Sequence, residues 1–237
     1  MPGSMLFTMM LCFGLSISVA VAIGLASLVG AAQANLNFVA VVKEMFSAIN
    51  KFPLAAIPFF ILAGNLMESG GISTRLVDFA KSIVGGVQGG LAATCVLTCM
   101  IFAAVSGSSV ATTFAIGTIL IPALLRHGYP TNYAAALQAT SAELGVIIPP
   151  SIPMILYGVS AEVSIGELFI SGFGPGLLIG FVLMAYVVIH ARIKGYGKGD
   201  REGRLSFWVG TRKAALALMM PVLILGGIYG GVFTPTE

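Results

Sequence analysis

The sequence predicts an all-α polytopic membrane protein, and three observations carry that reading. Of 237 residues, 57% are hydrophobic and only 9% charged, with a mean hydropathy of +1.00; a soluble domain carries roughly 25% charged residues. The apolar runs are long and continuous, unlike the alternating segments of about ten residues in an outer-membrane barrel. Thirty glycines and eleven prolines would break soluble helices, but membrane bundles tolerate them because small residues let helices approach closely.

Residues 5–32 are apolar and of a length to span the bilayer once. No basic region precedes them and the run is too long for a signal-peptide core, so they read as a mature helix. Residues 36–51 carry Lys43, Glu44 and Lys51 and read as an amphipathic piece at the interface. Residues 52–67 are apolar but short, with Pro53 and Pro58 near the start: a marginal span or half of a hairpin. Glu68-Ser69-Gly70-Gly71 stops that helix. Residues 72–83 place Arg75, Asp78 and Lys81 at helical spacing beside Leu76, Val77 and Phe79. This predicts an interfacial helix with weak Arg75–Asp78 and Asp78–Lys81 pairs.

From Ser82 to Leu125 there is no charged side chain. Inside that run, Ser106, Ser108, Ser109, Thr112 and Thr113 cluster around Gly107. Each unsatisfied polar group in hydrocarbon costs several kcal/mol, so such a knot belongs in a protein-enclosed or watery cavity. The apolar arms on either side, 91–105 and 110–125, are together too long for one straight span of about 20 residues. The chain therefore either folds back as a re-entrant hairpin or forms one broken helix.

A second interruption follows. A helix from about 132 to 144 runs into Gly145-Val146-Ile147-Ile148-Pro149-Pro150-Ser151-Ile152-Pro153. The adjacent prolines remove two backbone donors and Pro149 disfavours helical geometry at Ile148, which frees carbonyls of the preceding turn. Hard cations prefer such oxygens; a plain proline kink is the alternative. Glu143, the only charged residue between His127 and Ala161, lies beside the break. An intramembrane carboxylate is a functional candidate, for holding a cation or a proton, or else for capping a helix.

Residues 164–176 read as a short irregular connection rich in glycine, followed by a span to Ala191. Residues 192–213 hold seven basic residues against Asp200 and Glu202. By the positive-inside rule this connection is cytoplasmic. Residues 214–232 form a last apolar segment. The chain divides at this level into 1–51, 52–172 and 173–237.

The candidate binding residues are Ser106, Gly107, Ser108, Ser109, Thr112, Thr113, Glu143, Gly145, Pro149, Pro150 and Ser151, with Ser106, Ser108 and Gly145 as candidate sodium ligands. The helix starting near Ser109 would point its positive end at an anionic substrate. Small residues for close packing explain Gly107 and Ala111, and explain five clustered hydroxyls less well. Enzymatic readings lack parts: neither His127 nor His190 is an obvious base for Ser108, Asp78 and Asp200 sit in interfacial or loop positions, and no phosphate-binding loop is present. Cys12, Cys95 and Cys99 read as buried, inert thiols rather than metal ligands. A net charge of +3 spread over loops gives no reason to expect nucleic acid. Membrane lipid is the expected surrounding.

Both interruptions lie in segments that resemble the large membrane subunit of TRAP (tripartite ATP-independent periplasmic) transporters, of the dicarboxylate and sialic acid type. The similar stretches are Ala104–Thr112, Gln138–Pro153, Ile57–Gly64 and Gly231–Glu237. The resemblance implies an elevator-type sodium-driven importer of small organic acids in the bacterial inner membrane. It also implies a periplasmic binding protein and a small four-helix membrane subunit as partners, with no cofactor beyond sodium as coupling ion. In that scheme 1–51 belongs to a scaffold, 52–172 to a transport domain whose first hairpin tip is Ser106–Ser109, and 173–237 to flanking helices. Family members run to roughly twice this length with a second half in inverted topology. The sequence is thus expected to represent the N-terminal half of such a protein, holding half of a site and not transporting alone. The alternative from another class is a structural or assembly protein with no ion or substrate site.

Overall fold

The computed structural model describes residues 2–198 and 206–234. It is built of twelve α-helices and one 3-10 turn. The chain forms two compact units, Met1–Lys51 and Phe52–Glu237.

In the first unit the run 5–32 is not one span. It divides into α1 (Pro2–Gly14) and α2 (Val19–Gln33), an antiparallel pair. Ser4 Oγ donates to Gln33 Oε1 at 2.6 Å, and Met5 covers Gly30. Between the helices Ser16 adopts φ +58°, a left-handed turn that a hydropathy average over the run does not register. α3 (Phe38–Ile49) follows, started by Asn37, whose side chain accepts from Val39 N at 3.0 Å. Its apolar stripe (Phe38, Val39, Val42, Met45, Phe46, Ile49) is exposed, as amphipathic spacing predicts for a helix lying at an interface.

The second unit opens with the 3-10 turn Phe52–Ala55, then α4 (Ala56–Ser69) and α5 (Ile72–Val84). α5 keeps the expected amphipathic spacing and packs its apolar stripe on protein. It buries Ser73, Leu76, Val77, Ala80 and Ser82 against α6 (Gly90–Ser106) and α12 (Phe207–Tyr229). Ring contact between Phe79 and Phe207 at 6.3 Å and Ser82 against Gly210 fix it to the start of α12. Its charged residues form neither of the expected pairs; the apolar stripe, not the charges, decides where it lies.

Burial of α6 on all sides explains why its sequence shows no polar face: 14 of its 17 residues are buried. Around it stand α5, α7 (Ser109–Arg126), α8 (Thr131–Ala142), the short α9 (Leu144–Ile147) and α11 (Ile165–Lys194). α10 (Ile152–Ala161) continues α8–α9 beyond the proline break with a bend of 43°.

The expected irregular connection at 164–176 is also corrected. Only Glu162–Ser164 lies between α10 and α11, and Gly166, Gly172, Gly174, Pro175 and Gly176 are inside the 30-residue α11. At two of these positions smallness serves packing: Gly172 lies against the Ile147 carbonyl and Gly176 against Ile148. The division expected at 172/173 falls within this helix. Among the described residues four helical segments are long and apolar enough to cross a membrane, five with the bent pair counted as one span. Part of the basic connection, 199–205, including Asp200 and Glu202, and the last motif residues, 235–237, lie outside the described residues.

Candidate functional site

The arms of the knot fold back on each other. Gln138 of α8 accepts a hydrogen bond from Cys95 Sγ at 3.1 Å, donates to the Thr112 and Thr113 carbonyls at 3.3 and 3.5 Å, and touches Gly117. Cys95 and Gly117 would stand about 33 Å apart on a continuous helix; one side chain reaches both only because α6 and α7 are antiparallel. Their outer ends also share a face of the protein. Gly89, before α6, lies against Val188 and Ala191 of α11. Tyr129, after α7, packs on Tyr196 at 5.8 Å, just past α11. The hairpin therefore enters and leaves on the side of the basic connection, which selects the re-entrant alternative.

Two residues make the tip. Gly107 ends α6 at φ +60°, a left-handed conformation that glycine adopts without steric cost. Ser108 is extended and caps α7, its hydroxyl accepting from Ala111 N at 3.3 Å. The tip meets the second interruption backbone to backbone. Ile152 N donates to the Gly107 carbonyl at 3.0 Å. A Cβ on Gly107 would stand 2.6 Å from the Pro150 carbonyl oxygen, and one on Gly145 would stand 3.1 Å from the Ser108 carbonyl. Glycine at both positions is what this approach requires.

Helix lengths place the junction inside a bilayer. From the basic side, α8 of 12 residues rises about 18 Å before the break. Beyond it, α10 of 10 residues adds about 15 Å, and the hydrocarbon core is about 30 Å thick.

The structure thus brings Ser106, Gly107, Ser108, Gly145, Pro150 and Ser151 together, with Thr112 bonded to Ser106 across the hairpin. Most hydroxyls of the knot are already engaged. Ser106 and Thr112 share a hydrogen bond at 3.2 Å. Thr112 and Thr113 donate to the carbonyls four residues earlier, both at 2.8 Å, and Ser108 is a cap. Four of the five are thus engaged within the chain, one pair across the hairpin and the rest within the first turns of α7. Ser109 starts α7 and its hydroxyl makes no hydrogen bond among the described residues.

At the proline break one of the two expected free carbonyls is taken, since Ser151 Oγ donates to the Val146 carbonyl at 2.6 Å. The Gly145 carbonyl has no donor among the described residues, because the residue four positions on is Pro149. Glu143 is exposed, forms no capping hydrogen bond and has no ionic partner among the described residues. Cys95 and Cys99 are fully buried beside Gln138. Gln138 itself was missed as a positioning residue by sequence reasoning; an amide in an otherwise apolar helix face was the available signal.

A re-entrant hairpin tip pressed against a broken helix at membrane depth defines a class, the membrane proteins built on discontinuous helices, to which many secondary transporters belong. Comparison with known sequences gives the family. The sequence model described as tripartite ATP-independent periplasmic transporter, DctM component, matches residues 4–237, and the chain belongs to that family. It is 44% identical over 233 residues to the isethionate TRAP transporter permease protein DctMQ of Oleidesulfovibrio alaskensis, covering 98% of this chain and 36% of the relative. Identity to the C4-dicarboxylate TRAP transporter large permease protein DctM of Pseudomonas aeruginosa is 46% over 194 residues, 82% of this chain and 45% of the relative. Identity to the sialic acid TRAP transporter large permease protein SiaM of Vibrio cholerae is 37% over 215 residues, 91% of this chain and 50% of the relative. The chain thus spans between about a third and a half of the length of these relatives. It is a multi-pass protein of the bacterial inner membrane.

Proposed function

We propose that the chain supplies the first hairpin and broken helix of a sodium-coupled importer of small organic acids. The observation that carries this reading is the contact of two backbone interruptions at membrane depth, with the Gly145 carbonyl lacking a donor beside Ser108. Sodium takes oxygen ligands, and that carbonyl with oxygens of Ser106 and Ser108 is a suitable set. An acidic substrate would meet the start of α7, where N–H groups and the helix dipole favour negative charge. The names of the relatives, isethionate, C4-dicarboxylate and sialic acid permeases, support an organic acid as the substrate class. Within the assembled transporter a periplasmic binding protein delivers the substrate, and a small four-helix membrane subunit flanks this one.

One observation favours a structural role instead: the hydroxyls engaged inside the hairpin. Ser108→Ala in the whole transporter separates the two readings. Uptake into proteoliposomes should lose its dependence on a sodium gradient if the tip binds the ion. A purely structural tip leaves the sodium dependence of the remaining uptake unchanged.

A further inference from the structure

At the basic end of the second unit, away from the hairpin tip, a groove of 480 Å³ separates the turn joining α5 to α6 from the last turns of α11. Ile83, Val84 and Val87 line one side of it, and Met184, Val188 and Ile189 the other. No charged side chain lines it, and Ile83, Val87 and Ile189 are exposed, so the groove opens to lipid. Between Glu167 and Arg192, α11 carries no Asp, Glu, Lys or Arg, which places Arg192 where the helix leaves the hydrocarbon. The groove therefore lies about 5 to 12 Å inside that boundary, at the depth of the upper part of an acyl chain.

Two cations stand at its rim. Arg192 is exposed and follows Val188 by four residues and Ile189 by three, so it shares their face of α11. The stem of Lys81 lies against Gly85, between the lining residues Val84 and Gly86. Among the described residues neither cation has an ion pair or a side-chain hydrogen bond.

We infer that this groove is a binding site for an anionic glycerophospholipid, with one acyl chain along α11 and the phosphate held by Arg192 and Lys81. The apolar walls alone would take any lipid tail. The two unpaired cations at headgroup level add a preference for net negative charge, and a guanidinium offers phosphate oxygens paired N–H donors. Length separates a lipid from a partner helix: the groove runs about 8 Å along α11, whereas a spanning helix would need contact across a core of about 30 Å. Gly89 at the base of the hairpin packs on Val188 and Ala191, so the bound lipid would sit beside the hairpin root. The site shares no residue with the proposed ion site and does not depend on it.

The test is native mass spectrometry of the whole transporter, titrated in detergent with dioleoyl phosphatidylglycerol or with the zwitterionic dioleoyl phosphatidylcholine. Phosphatidylglycerol should bind more tightly. Arg192→Gln and Lys81→Gln should each weaken it about fivefold, the worth of one cation near an anionic headgroup, and leave phosphatidylcholine unchanged. Lys194→Gln removes the same charge at the same level but about 200° around the helix, and should change neither lipid. Ala185→Trp, which fills the groove, should weaken both. Equal affinity for the two lipids overturns the inference, as does an Arg192→Gln effect no larger than that of Lys194→Gln. Loss of the small membrane subunit in Ala185→Trp with lipid binding intact also overturns it, and gives the groove to a helix. Melting curves report folding; should Ala185→Trp not fold, the comparison of Arg192→Gln with Lys194→Gln decides alone.

Discussion

Gly107 carries two constraints at once. Its left-handed backbone costs a residue with a Cβ about 1–2 kcal/mol, and the Pro150 carbonyl occupies the place where that Cβ would go. Gly107→Ala should therefore lower the stability of the folded chain by more than about 1 kcal/mol, read as an earlier thermal transition in detergent. Gln138 is the complementary case, a buried polar side chain whose partners come from both arms. Gln138→Leu removes the amide that spans the hairpin and should cost about 1–3 kcal/mol. Cys95 and Cys99 should then react faster with a membrane-permeant maleimide. The knot and the prolines were legible as interruptions because their composition violates what a lipid-exposed helix tolerates. The partner of each hydroxyl was not legible, because a serine that caps a helix and a serine that faces a ligand look alike in sequence.

Among elements, α11 shows how glycines mislead. Gly172, Gly174, Pro175 and Gly176 read as a loop when their local propensity is weighed alone. All four lie in a continuous helix, where the Ile147 carbonyl and Ile148 fill the space that Gly172 and Gly176 leave. The comparison of two substitutions isolates this effect. Gly172→Ala would place a methyl 2.5 Å from the Ile147 carbonyl oxygen and should destabilise the chain, whereas Gly174, with nothing within 4 Å, should accept alanine without loss. Unequal shifts in melting temperature between the two variants are the expected result. α5 misleads in the other direction. Its charges at helical spacing suggested an interfacial helix, and its apolar half, Leu76, Val77 and Ala80, is covered by α6 and α12.

For the whole molecule, the entry and exit of the hairpin on one side fix a labelling pattern. Single cysteines at His127 and at Lys194 should react with a membrane-impermeant maleimide from the same side of sealed vesicles, and one at Glu162 from the other. Reaction of His127→Cys and Lys194→Cys from opposite sides would contradict the re-entrant geometry. The fold class was legible from composition alone, since 9% charge leaves few alternatives. Whether the arms fold back or continue was not, because apolar length counts residues and carries no direction. The left-handed Gly107, the reach of Gln138 and the tilted ring contact of Tyr129 with Tyr196 supply that direction.

The hydrogen bond from Ile152 to the Gly107 carbonyl has a mechanical consequence. The hairpin is anchored at its root by the tyrosines and at its apex by the broken helix. A displacement applied to α10 is delivered to the apex, and one applied at the root is delivered to α11. Hairpin, broken helix and the end of α11 are thereby tied together at both ends of the hairpin, so a load on one is shared by the others.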